Sequence, residues 1–141
     1  MPTTITDKRA RFSLLWVFVM LNMIYADILT FMMAGTLKDI LAGHVGQIEF
    51  TPNFLLLAAV MTEVPIAMVV LSLVLPQRAA RWANIGAAVF TIAYIWGMGS
   101  ASPHYVFIAG IETLACMILA WKAWTWRVPA ASVQAEAVLA E

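Results

Sequence analysis

Charge is what this sequence has least of. Only 11% of its 141 residues are Asp, Glu, Lys or Arg, against about 25% in an ordinary soluble domain. That excludes a separate water-soluble domain beside the apolar part of the chain. Cysteine is almost absent as well, since Cys116 is the only one and lies in an apolar segment. One thiol excludes an intrachain disulfide framework, a zinc site and CxxC redox chemistry. No basic cluster exceeds three residues, so nucleic acid has no electrostatic footprint to bind. No nucleophile–base pair, metal quartet or cofactor motif occurs, and the nine Met residues form no Met/His cluster that would hold copper. No metal and no cofactor is therefore expected. The chain also lacks a GxxxG pattern, so homo-oligomer formation is permitted by apolar surface but not specified.

What is there is hydrophobic: 63% of the residues, with a mean hydropathy of +0.88. Four apolar stretches fill most of the length. The expected fold is all-α, a polytopic membrane four-helix bundle in up-down topology, with the lipid bilayer as its solvent. The spans are placed at about 12–34, 53–75, 82–99 and 105–126 within a membrane domain covering 12–127. A polar N-terminal segment, 1–11, precedes it and a mobile tail, 128–141, follows. The first run is too long for a signal peptide and has no Ala-x-Ala site after it, so it reads as a retained span. Between the first two spans, Leu37, Ile40 and Leu41 share one face and predict a short interfacial helix before Gly43 and Gly46. A small hairpin within 43–51 is the only β-structure this reading allows. Thr51-Pro52 and Ser102-Pro103 each place a capping residue before a proline at the first helical position. Pro76 closes the second span, and 77–81 read as a tight basic turn.

The basic residues set an orientation. Lys8, Arg9, Arg11, Arg78, Arg81, Lys122 and Arg127 fall on one side of the expected bilayer and Lys38 alone on the other. The positive-inside rule then predicts both termini in the cytoplasm. Trp16, Trp82, Trp121, Trp124 and Trp126 gather near the same interface, where an aromatic belt belongs.

Three acids interrupt the apolar runs: Asp27, Glu63 and Glu112. Glu63 sits in Thr62-Glu63-Val64-Pro65, about 14 Å along its span and close to the midplane. Pro65 frees a carbonyl at position 61, and Ala59 and Ala67 keep the surface around the acid small. Asp27 and Glu112 each lie about 10 Å from the extracytoplasmic end of their span. An ionised group at such depth costs on the order of 3 kcal/mol on insertion scales, and no Lys or Arg lies at that depth in the spans to offset it. The expectation is one inward-facing acidic pocket, opening outward, with 35–52 above it as a partial lid. Its ligand-binding residues would be Asp27, Glu63 and Glu112 with Asn22, Tyr25, Thr62, Thr91 and Tyr94. On the third span, Asn84, Ala87, Thr91, Tyr94 and Met98 follow 3-4 spacing and make one face. His104, at an outer helix boundary, reads as a surface or capping residue. The competing account is that the acids are protonated and only join helices by hydrogen bonds. Such bonds average about 0.6 kcal/mol, too little to account for three acids at similar depth.

Leu15-Trp16-Val-Phe18, Asn22, Tyr25-Ala-Asp27, Glu63-Val-Pro65-Ile66 and Arg81-Trp-Ala-Asn84-Ile85 together resemble a group of small four-helix bacterial membrane proteins of unknown function. In size and layout only, the chain is also similar to DoxX-like proteins. The resemblance implies an inner-membrane protein and supplies no activity. The residues point first to a binding or transport protein, in which the acids hold a cation, an organic amine or a proton. A membrane-embedded enzyme is the second reading, an isomerase or hydrolase acting on a lipid-like substrate with one acid as proton donor and another as base. The third is an accessory subunit of a larger membrane complex, with no ligand of its own.

Overall fold

A computed structural model of the chain describes residues 5–45 and 48–126. Its elements are helix α1 (Ile5–Phe31), a short helix α2 (Thr36–Leu41), strands β1 (His44–Val45) and β2 (Ile48–Glu49), and helices α3 (Pro52–Val74), α4 (Gln77–Met98) and α5 (Pro103–Thr125). The tail read as mobile lies outside the described residues.

Helix α1 starts at Ile5, inside the segment read as polar and separate, because Lys8-Arg9-Ala10-Arg11 are strong helix formers with no Gly or Pro among them. It ends before Gly35, whose φ of 92° only glycine adopts without strain. The short helix α2 carries Leu37, Ile40 and Leu41 as expected, and β1 and β2 form the small antiparallel hairpin, with His44 opposite Glu49. Thr51 caps α3, its hydroxyl accepting from the Phe54 N–H at 3.2 Å, with Pro52 at the first turn. The helix runs on through Pro65, whose missing N–H leaves the Met61 carbonyl without its helical donor. The expected basic turn at 77–81 is instead the first turn of α4. Leu75 and Pro76 suffice as a link, and the Ala80 N–H already donates to the Pro76 carbonyl at 2.8 Å.

The four long helices pack in a ring: α1 touches α3 and α5, and α4 touches the same two. Core residues recur every three or four positions: Phe12, Trp16 and Val19 on α1, Ala80 and Ala87 on α4, and Ala115/Cys116, Leu119 and Ala123 on α5. Small residues dominate where α4 meets α5, which lets two backbones approach closely. One polar cluster crosses the ring. The Trp16 indole Nε1 donates to Asn84 Oδ1 at 2.7 Å and the Ser72 hydroxyl donates to the same oxygen at 3.2 Å. Asn84 Nδ2 in turn donates to the Ala80 carbonyl at 2.7 Å.

Contacts at the two ends show how the helices are laid. At the basic end, Phe12 stacks on Trp126 with centroids 5.3 Å apart, Arg9 Nη1 donates to the Leu73 carbonyl at 3.3 Å, and the Arg81 guanidinium lies 5.6 Å over Trp124. At the other end, Thr30 meets His104 and Tyr105 meets Ile95. Each start of one helix therefore lies beside the end of its neighbour.

Among the described residues three helices are long and apolar enough to cross a membrane: Asp7–Phe31, Pro52–Val74 and Pro103–Thr125. Of these, α3 is the most apolar, with a mean hydropathy of 2.4, yet only 11% of its window is buried. Leu55, Leu56, Val60, Val70 and Val74 all stand exposed along it. Helix α4 does not reach the same standard, since Gln77, Arg78, Arg81 and Asn84 occupy its first two turns.

At the start of the α4–α5 link, Gly99 is fixed by crowding. A Cβ there would run into the Tyr105 ring and the Ile95 carbonyl oxygen. Gly99→Ala is expected to lower stability by about 1–3 kcal/mol, read as an earlier thermal transition in detergent. Gly97→Ala, where an added Cβ meets nothing within 4 Å, should leave that transition close to the wild-type one.

Candidate functional site: an acidic cavity between the helices

Sequence spacing explains which side chains meet at the end of the ring away from the basic residues. On α1, Met20, Met23 and Asp27 are three and four apart and share a face; on α5, Tyr105 and Glu112 are seven apart and do the same. On α4, Tyr94 and Met98 are four apart. Together with Thr62 of α3 and with Ile24, Ala26 and Ile95, these residues line a cavity of about 140 Å³. Its walls are mostly Met and Ile, and its polar groups are two carboxyls and three hydroxyls. No Lys, Arg or His is among them.

The hydroxyls are already committed, two to backbone and one to a neighbouring side chain. Thr62 Oγ1 donates to the Ala58 carbonyl at 2.9 Å, so across the 3.0 Å contact between them the Tyr94 hydroxyl must be the donor to Thr62. The Tyr105 hydroxyl donates to the Ile95 carbonyl at 2.9 Å. The carboxyls are not committed in this way. Glu112 is 2% exposed and its Oε1 is buried with no hydrogen-bond partner. Asp27 stands on the accessible side of the cavity, its side chain exposed. Just beyond, Thr30 donates to the Ala26 carbonyl at 2.8 Å, so His104 Nε2, 3.2 Å from the Thr30 oxygen, carries the hydrogen between them. His104 is thus a tie between α1 and α5 rather than a free surface residue.

The expected set separates in two. Asp27, Glu112, Thr62 and Tyr94 come together; Glu63, Asn22, Tyr25 and Thr91 do not line the cavity. Glu63 is exposed on the outside of α3. The inward stripe of that helix runs through Thr62, Pro65, Met68 and Ser72, of which the last three are fully buried, and one residue past Thr62 turns the chain about 100° away from it. Asn22 donates to the Phe18 carbonyl of its own helix at 2.8 Å, and Tyr25 is 58% exposed, so the face they share points away from the ring. Thr91 is buried inside the α4 packing with its hydroxyl unpartnered. The described residues of the segment 35–52, read as a lid, contribute none of the lining. Among the described residues no three His, Cys, Asp or Glu gather closely enough to hold a metal ion.

Tyr105 was not among the expected site residues. The signal for it lay in the sequence, two helical turns before Glu112 and directly after Pro103-His104.

The model of the family of unknown function DUF6326 matches residues 4–132. The chain belongs to that family. The match takes in all the long helices and every residue of the cavity, so the acidic site lies within the DUF6326 segment. No DoxX model matches, which leaves that likeness at size and layout. Comparison with curated proteins and with solved structures returned no match.

Proposed function

We propose that this DUF6326 chain is a multi-pass protein of a bacterial inner membrane, a four-helix bundle in up-down order with both termini in the cytoplasm. Its acidic cavity binds or passes a small cation, an organic amine or a proton. One observation carries the reading: Asp27 and Glu112 line a single, mainly apolar cavity that no basic side chain of the described residues enters. In low dielectric a bound positive charge interacts strongly with such a pair. Exposed apolar surface on the outside of α1, α3 and α5 supports the membrane setting. With basic residues gathered at the opposite end, the cavity lies in the outward half. α4 completes the set as the least apolar span, supplying the polar partners Asn84 and Tyr94. A ligand must be small, since about 150 Å³ accommodates a molecule the size of benzene.

Helix-joining by protonated acids fits less well, because a carboxyl kept for that purpose needs partners and Glu112 Oε1 has none.

The test is thermal unfolding of the purified chain in detergent with a panel of ammonium, alkylamine and metal cations. A ligand at about a hundredfold excess over Kd should stabilise by about 2.7 kcal/mol. Glu112→Gln and Asp27→Asn should lose that shift, while Glu63→Gln, altered outside the cavity, should keep it. If no cation stabilises the protein and proteoliposomes show no acid-driven proton flux, the reading is wrong.

A further inference from the structure

At the basic end of the ring a second cavity, of about 190 Å³, opens between the start of α1 and the end of α5. Lys8, Arg11 and Lys122 converge on it, and among the described residues no Asp or Glu lines it. Phe12 and Trp126, stacked on each other, form its apolar side. Three cations brought to one recess by two different helices give it a positive potential that favours an anion.

A neighbouring feature shows what kind of anion. Lys122 and Thr125 also border an open groove on the outer face of α5, whose other walls are Met117, Ile118 and Trp121. From Lys122 to Met117 the groove descends about 7.5 Å along the helix, away from the basic end. Met117, Ile118 and Trp121 are exposed along it. A cationic recess and an apolar groove that would run into the hydrocarbon region thus share Lys122 and Thr125 as a common border. The geometry points to a binding site for one anionic phospholipid, with its phosphodiester headgroup held by Lys8, Arg11 and Lys122 and an acyl chain lying along Met117 and Ile118. Soluble phosphate would fill the recess and leave the groove unused. Basic pockets between spans on the cytoplasmic side are suited to such headgroups. The site rests on the membrane placement proposed above and is independent of the acidic cavity, which lies more than two helical turns further along both α1 and α5.

Native mass spectrometry of the full chain released from micelles tests this, with added phosphatidylglycerol or phosphatidylcholine. Phosphatidylglycerol should be retained in preference, with one tightly held lipid per chain, and raising the salt should weaken it. Lys8→Gln/Arg11→Gln/Lys122→Gln together should reduce retention by roughly fivefold for each charge removed. Arg78→Gln, on the same side of the membrane but outside the cavity, should bind as the wild type does. Equal retention of the two lipids by the wild-type chain would overturn the proposal, and that comparison stands even if the triple variant does not fold. So would displacement of the lipid by inorganic phosphate at similar concentration, or an Arg78→Gln loss as large as that of the triple variant.

Discussion

Glu112→Leu is expected to make the protein more stable than the wild-type chain, by about 1–3 kcal/mol in the absence of ligand, while abolishing any stabilisation by cations. The carboxyl is 2% exposed and its Oε1 has no hydrogen-bond partner, and burying a polar group in that condition costs about 1–3 kcal/mol. Leucine fills nearly the same space among Met and Ile walls without that penalty. Such a gain on removal is what a residue retained for binding should give, because activity and stability then pull in opposite directions. A residue that joins helices should do the reverse. Equilibrium unfolding in mixed micelles measures the difference, and a stability loss above about 1 kcal/mol for Glu112→Leu would return the acid to a structural role.

The polar cluster at the other end of the ring should respond in the opposite sense. Asn84→Ala is expected to destabilise by about 2–3 kcal/mol, the largest loss among single polar substitutions in the bundle. The interhelical bond alone would be worth about 0.6–1.7 kcal/mol, but its loss also strands the Trp16 N–H in a fully buried site, which adds about 1–3 kcal/mol of unmet desolvation. The Ser72 hydroxyl loses the same acceptor. Trp16→Phe removes the donor as well, so the double variant should be less destabilised than the sum of the two singles by at least about 0.5 kcal/mol. Strict additivity would mean that the contact contributes nothing to the fold.

How far the sequence could be read follows from where helices differ on their faces. The ends were legible, because Thr51-Pro52 and Pro76 act locally through a cap and a missing donor. The depth of the acids was legible too, since it depends only on counting residues along a helix. Rotation about the axis was legible on α4, where Asn84, Thr91 and the alanines mark a buried face, and on α5, where Tyr105 and Glu112 fall in line. It was not legible on α3. That helix is apolar all round, so nothing in its pattern says which side meets its neighbours, and Glu63 was assigned inward from depth alone. The structure turns Thr62 and Pro65 inward instead. On α1 the polar face of Asn22 and Tyr25 competed with that of Met20, Met23 and Asp27, and packing chose the second. The helical start at Ile5 was not legible because the apolar run that marks the span begins only at Phe12, while the polar residues before it continue the same helix.

The low hydropathy of α4 has a consequence for how the protein is made. A segment that opens with Gln77, Arg78, Arg81 and Asn84 is a poor candidate for partitioning into lipid by itself as it leaves the ribosome. Its predecessor α3 is the most apolar helix of the chain, and only Leu75 and Pro76 lie between them. Delivered together as a hairpin into the membrane proposed above, the greasier arm would carry the other across, and Asn84 would arrive already beside Ser72, one of its two donors. The other donor, Trp16, waits on the first helix to be synthesised. In the membrane setting proposed above, α4 is therefore expected to insert only as the partner of α3.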